Sequence, residues 1–202
     1  SELGVGLERR RFGQLDRTWS GPEFNRLLGK AMTENRDDFI LALYLGRYAG
    51  FRIHECFRMD TAAAEQALRE NALTVKGKGG KVRTVPIEDE RILMMLKRVL
   101  AQTECGHKLL APDGMPTDRA INALELFIYR YRNGISDEGS DRRLTFHGLR
   151  HTYAAEKYTR LTEDGMSAID AHYAVSRLLG HERADVTNIY LASVRKRGRD
   201  GE

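Results

Sequence analysis

Apolar residues along this chain recur at three- and four-residue spacing over most of its length, which predicts helices. They switch to alternation in one short region only. "SGPEFNRLLGKAM" opens the first helix: Ser20 can cap it, Pro22 suits its first turn and Glu23 completes a capping-box spacing. "RDDFILALYLGRYAG" predicts a second helix, apolar enough to be core and closing at Gly50. "FRIHECFRM" continues helically, and the Ala-rich "TAAAEQALREN" follows it. "ALTV" and "VRTVPI" then flank "KGKGGK", which reads as two short strands joined by a Gly-rich turn. Amphipathic helices return in "RILMMLKRVLAQ" and "PTDRAINALELFIYRYR", and a polar loop, "NGISDEGSDRR", comes next. A helix is expected after "LTFHGLR", a loop at "RLTEDGMS", and two closing helices around "SAIDAHYAVSRLLG" and "ADVTNIYLASV". The sum is a mainly α domain with a small antiparallel β-sheet, an α+β fold without internal repeats. Residues 1–19, polar and basic without periodicity, read as a linker or arm, and residues 20–202 as the domain.

At 202 residues, with 31% charged and 41% hydrophobic positions, the composition is that of a globular domain rather than a disordered or membrane-spanning chain. No apolar run approaches the roughly 18 residues that a membrane helix needs. The chain starts at Ser1 rather than Met, as a fragment or processed piece would. Cys56 and Cys105 form neither a metal-ligand spacing nor a disulfide framework, which suits a reducing cytosol. The net charge of +4 says little, but its distribution says more. Lys76, Lys78, Lys81 and Arg83 fall together without an acid, Arg195, Lys196, Arg197 and Arg199 cluster near the end, and "ERRR" lies near the start. Clustered cations attract polyphosphate; they are also what a solvated surface looks like.

The stretch "LTFHGLRHTYAAEKY" concentrates the candidate chemistry: His147, Arg150 and His151 within five residues at the start of an apolar helix. It can be read as a metal site, a phosphate clamp or the polar end of a core helix. A zincin-like pair of histidines also needs a Glu after the first, and Gly148 stands there. His181 offers a third nitrogen, but no Cys or carboxylate completes a ligand set. "VKGKGGKVR" lacks the P-loop spacing and lies between strands, so it suits a groove or a phosphate better than a nucleotide.

Breaking a phosphodiester without metal takes a nucleophile, cations on the non-bridging oxygens and an acid for the leaving oxygen. Arginine suits the clamp, because its planar fork bonds bidentately and stays charged. Tyrosine can attack, although only roughly one in a thousand is ionised at neutral pH and it needs nearby cations and a proton acceptor. The chain supplies these parts in order: Arg52 and Glu55 in "GFRIHE", Lys78 in "GKGGKVRTVPI", His147 and Arg150 in "HGLRH", His181 in "LLGH" and Tyr190 in "VTNIY". With five motifs in this order and Tyr190 nine residues after His181, the chain resembles the catalytic domain of tyrosine recombinases, the phage integrase and Xer/Cre type, from about Ser20 to Leu191.

That resemblance implies a DNA breaking-rejoining fold and a site-specific recombinase that works through a 3′-phosphotyrosyl intermediate, with no cofactor, metal or ATP. It implies that Arg52 and Arg150 clamp the scissile phosphate. Lys78 would protonate the leaving 5′ oxygen, His147 would accept the tyrosine proton, His181 would bond the phosphate and Tyr190 would be the nucleophile. Glu55 and His151 would support them, and Lys76, Lys81 and Arg83 would contact DNA. Partners would be double-stranded DNA and, for a full-length protein, a homotetramer on that DNA, the isolated domain being monomeric; no membrane is involved. Family members usually carry an N-terminal DNA-gripping domain, for which the chain before Ser20 is too short, and only twelve residues follow Tyr190. A type IB topoisomerase and a non-catalytic DNA-binding module share parts of this pattern. The wording of "HGLRH" and "LLGH" favours the recombinase, and intact Arg52, Arg150 and Tyr190 speak against loss of chemistry.

Overall fold

A computed structural model describes residues 16–77, 80, 82–180, 187 and 194. Among these residues it forms eight helices and one two-stranded sheet. The elements are α1 (Gly21–Thr33), α2 (Asp37–Tyr48), α3 (Ile53–Arg58), α4 (Thr61–Glu70), β1 (Ala72–Lys76), β2 (Val82–Pro86), α5 (Glu90–Leu100), α6 (Thr117–Ile135), α7 (Phe146–Glu163) and α8 (Ala168–Leu179). The mainly α fold with a small antiparallel sheet is thus the one expected.

The capping box of α1 forms: the Glu23 amide donates to Ser20 Oγ at 3.2 Å, and the Ser20 amide to the Glu23 carboxylate at 2.8 Å. α2 is the central element. Phe39 to Arg47 are all buried, which suits a helix without a polar face. It packs against α1, α3, α5 and α7. α2 stops at Tyr48, and Gly50 takes a left-handed φ of 65°. The second helix thus closes at Gly50 as expected, and of the helical stretch expected over "FRIHECFRM" Phe51 and Arg52 are not helical, the short α3 starting only at Ile53.

The strands pair antiparallel with Val75 opposite Arg83 and Leu73 opposite Val85. Leu73, Val75 and Val85 face the core. Period-two alternation puts Arg83 on that same inward face.

Two loops are shorter than expected. α6 runs on through Asn133 and Gly134, because one more turn buries Ile135. α7 runs through "RLTE" to Glu163, letting Leu161 pack with the second apolar cluster of Tyr153, Ala154, Val175 and Leu179. Thr18 and Trp19, expected in the linker, are buried. The Trp19 amide donates to Thr152 Oγ1 at 2.8 Å, and its indole N–H to the Thr145 carbonyl at 2.9 Å. The helix expected around 184–194 lies outside the described residues, apart from Thr187 and Val194. No described helix is long and apolar enough to cross a membrane.

Candidate nucleic-acid cleavage site

α7 builds the centre of the site. Thr145 caps it, its hydroxyl accepting from the Gly148 amide at 3.3 Å, so His147 and Arg150 fall in the first turns, where the helix dipole favours an anion. Gly148 cannot carry a side chain in this packing: a Cβ there would lie 2.5 Å from the Arg17 carbonyl oxygen and 2.8 Å from the Trp19 indole nitrogen. The Glu of a zincin would collide with the segment crossing this turn, which is the physical reason that "HGLRH" is not "HExxH". The His147 and His151 rings meet edge to face at 5.0 Å. Among the described residues, the one cluster of three potential metal ligands is elsewhere: Glu104, His107 and Asp113, between α5 and α6.

Arg150 is fully buried. One terminal nitrogen donates to the Gly50 carbonyl and the other to the Leu179 carbonyl, the latter at 2.5 Å. One guanidinium thus ties the loop leading to Arg52 to the end of α8, and Gly180, the residue before His181, caps that helix with φ 65°.

Arg52 precedes α3 and is partly exposed. Its amide donates to Glu55 Oε2 at 2.8 Å and its Nη1 to Glu55 Oε1 at 3.1 Å, so Glu55 fixes both the start of α3 and the arginine head. Arg83, expected on DNA beside Lys76 and Lys81, turns inward instead. It donates to both oxygens of Glu55, at 2.8 and 2.7 Å. Lys76 is exposed at the end of β1. Lys78, Lys81, His181 and Tyr190 lie outside the described residues.

Burial pushes the Glu55 carboxyl up, but the hydrogen bonds and charge of Arg83, with help from the Arg52 amide and the charge of Arg150, override it and hold the carboxyl down to about 2. His147 remains open to solvent, yet desolvation by its neighbours and then the cations Arg150, Arg17 and Arg52 hold it down to about 4. At neutral pH it is therefore neutral and able to take a proton. His151, buried on the same helix, is held down to about 3 by burial first and His147 second.

These directions predict acid lability. A group whose folded pKa is depressed leaves the unfolded chain binding more protons, so it stabilises the fold above its ordinary pKa and loses that contribution as pH falls. His151 acts between 6.5 and about 3, His147 between 6.5 and about 4, and Glu55 between 4.5 and about 2. Urea midpoints are expected to fall from just below pH 6.5, and His151→Gln to make that fall shallower between 6.5 and 4.5, the remainder coming from His147. A midpoint constant down to pH 4.5 in the parent protein contradicts this.

Comparison with known proteins places this arrangement in context. The phage integrase family model matches residues 21–197. The tyrosine recombinase XerD of Xanthomonas axonopodis pv. citri is 29% identical over 204 residues, covering 87% of this chain and 62% of the relative. The chain thus spans about three-fifths of that curated relative's length. Among solved structures, the XerA recombinase superposes with a TM-score of 0.64 at 20% identity, covering 92% of this chain and 65% of its own. The XerH site-specific recombinase, in a post-cleavage complex with palindromic difH substrate, gives 0.62 at 18%, covering 93% and 52%.

Proposed function

Because this chain belongs to the phage integrase family, we propose that it is the catalytic part of a site-specific DNA recombinase that cleaves and rejoins strands through Tyr190. The observation that carries this reading is the Arg150 tie. It gathers the loop before Arg52 and the end of α8 before His181 around the first turns of α7, where His147 also stands. A scissile phosphate there would meet arginine forks and a helix N-terminus together.

In the reaction, the Tyr190 oxygen attacks phosphorus and its proton passes to neutral His147. The bond to the 5′ oxygen breaks, and Lys78 protonates that oxygen. Arg52, Arg150 and His181 hold the non-bridging oxygens as charge builds on them. The 3′-phosphotyrosyl bond conserves the energy of the broken ester, so a 5′ hydroxyl can reverse the steps without ATP or metal. Lys76 and Lys81 would grip the backbone near the hairpin. Binding to double-stranded DNA fits both the lysine-rich hairpin and the relative captured on its substrate after cleavage. In a longer protein four copies would assemble on that DNA.

The test uses a pool of nicked duplexes of random sequence, incubated with the protein in EDTA and quenched in detergent. A covalent protein–DNA adduct is expected, and Tyr190→Phe should form none. An adduct that survives in Tyr190→Phe sinks the assignment of the nucleophile, and one that forms only when divalent cation is restored sinks the metal-free mechanism. Relaxation of plasmid without preference among the pool sequences would favour a topoisomerase.

A further inference from the structure

Three stretches used in the cleavage reading meet at a buried side chain with no part in the chemistry just described. Arg83 lies on β2 with its side chain 9% exposed. Both its terminal nitrogens hold Glu55, and Glu55 holds the amide and Nη1 of Arg52. Its guanidinium sits 5.7 Å from the centre of the Phe51 ring. Its stem lies against the end of α8, so close that a Cβ on Gly180 would come within 3.0 Å of Arg83 Cδ. One residue therefore spans the hairpin whose connection contains Lys78, the loop presenting Arg52 and the glycine before His181.

An apolar contact could join these elements at least as stably. Replacing a buried ion pair by apolar residues of similar volume is often neutral or stabilising, so net stability does not explain Arg83. What the pair supplies is orientation. A planar fork on a carboxylate fixes angle as well as distance, whereas branched aliphatic residues would let β2 shift relative to residue 55.

The geometry points to Arg83 as a positioning residue for strand cleavage, acting through Glu55 on Arg52, without touching DNA. This rests on the recombinase reading, for which adduct formation by the parent protein is the separate check.

The probe is a duplex recovered from parent-protein adducts, made with either the normal bridging oxygen or a bridging sulfur at the scissile 5′ position. Sulfur leaves without protonation, so it bypasses the general acid. Single-turnover cleavage at saturating protein is compared for the parent, Arg83→Met, Arg83→Lys and Lys78→Ala. Arg83→Met is expected to slow cleavage of the oxygen duplex on the order of 100-fold, the typical cost of misplacing a catalytic group by about 1 Å. DNA affinity should be unchanged, and much of the deficit should persist on the sulfur duplex, because Arg52 holds the phosphate whichever atom leaves, whereas Lys78→Ala is expected to recover there. Arg83→Lys keeps the charge without the fork, and should fall between parent and Met; it also carries the test should the Met protein not fold. Three results overturn the proposal: parent-like cleavage by Arg83→Met, lost DNA affinity with full rate at saturation, or recovery on the sulfur duplex as full as that of Lys78→Ala. The second would make Arg83 a DNA contact, and the third would move its action from Arg52 to the general acid.

Discussion

Arg150→Met is expected to reduce strand cleavage by about 1,000-fold while leaving a folded protein, because catalysis and stability weigh this side chain differently. For stability two terms oppose one another. Removing the guanidinium strands the Gly50 and Leu179 carbonyls, each an acceptor that costs about 1–3 kcal/mol when buried and unmet. It also removes a buried charge, which relieves part of that cost. The net loss should be about 2 kcal/mol, readable as a lower urea midpoint. For catalysis nothing opposes. A preorganised donor on a developing anion contributes about 10²–10³ in rate, and the same substitution frees the loop before Arg52. Arg150→Lys separates charge from geometry: an ammonium cannot span two carbonyls and a phosphate, so cleavage should remain lowered by at least about 100-fold. Single-turnover cleavage within about tenfold of the parent in the Met protein would remove Arg150 from the clamp.

What could be seen in the sequence, and what could not, divides along the range of the interaction. Ser20, Pro22 and Glu23 announce α1 because capping is local, and the unbroken apolar run of α2 announces a buried helix because nothing polar interrupts it. The order of Arg52, His147 and Arg150 along the chain was legible for the same reason, since motif spacing is a local quantity. Their physical link was not: Arg150 finds carbonyls 100 residues before it and 29 after it, at Gly50 and Leu179. The clasp of Trp19 on α7 likewise reaches to Thr145 and Thr152, 126 and 133 residues away, so a stretch without periodicity read as linker. Arg83 is different, because a signal existed. Val85 on β2 and Ile87 just past its end mark the inward face at period two, and Arg83 continues it. Charge alone groups Arg83 with Lys76 and Lys81, whereas strand register turns it inward, and the unlike partner that makes an inward arginine tolerable, Glu55, is 28 residues upstream.

Gly50→Ala is expected to cost about 3 kcal/mol and to slow cleavage on the order of 100-fold, although no atom of Gly50 belongs to a reacting group. Two penalties add at this position. The left-handed φ of 65° costs an L-residue roughly 1–2 kcal/mol. A Cβ would also lie 2.4 Å from Tyr153 Cδ1, deep inside the ring's contact surface, and crowding of this kind costs about 1–3 kcal/mol. Tyr153 cannot swing away cheaply, because it is buried and packs with Ala154, Val175 and Leu179. The loop must move instead, carrying with it the Gly50 carbonyl that holds Arg150 and, two residues on, the Arg52 head. The double variant Gly50→Ala/Tyr153→Leu tells the penalties apart. It removes the ring and so the collision, and leaves the backbone strain of about 1–2 kcal/mol. If the route from Gly50 to catalysis runs through the displaced carbonyl, the double variant should regain cleavage relative to Gly50→Ala even though Tyr153→Leu alone loses packing. A double variant as slow as Gly50→Ala would mean that the strained φ itself, rather than the collision, sets the position of Arg150.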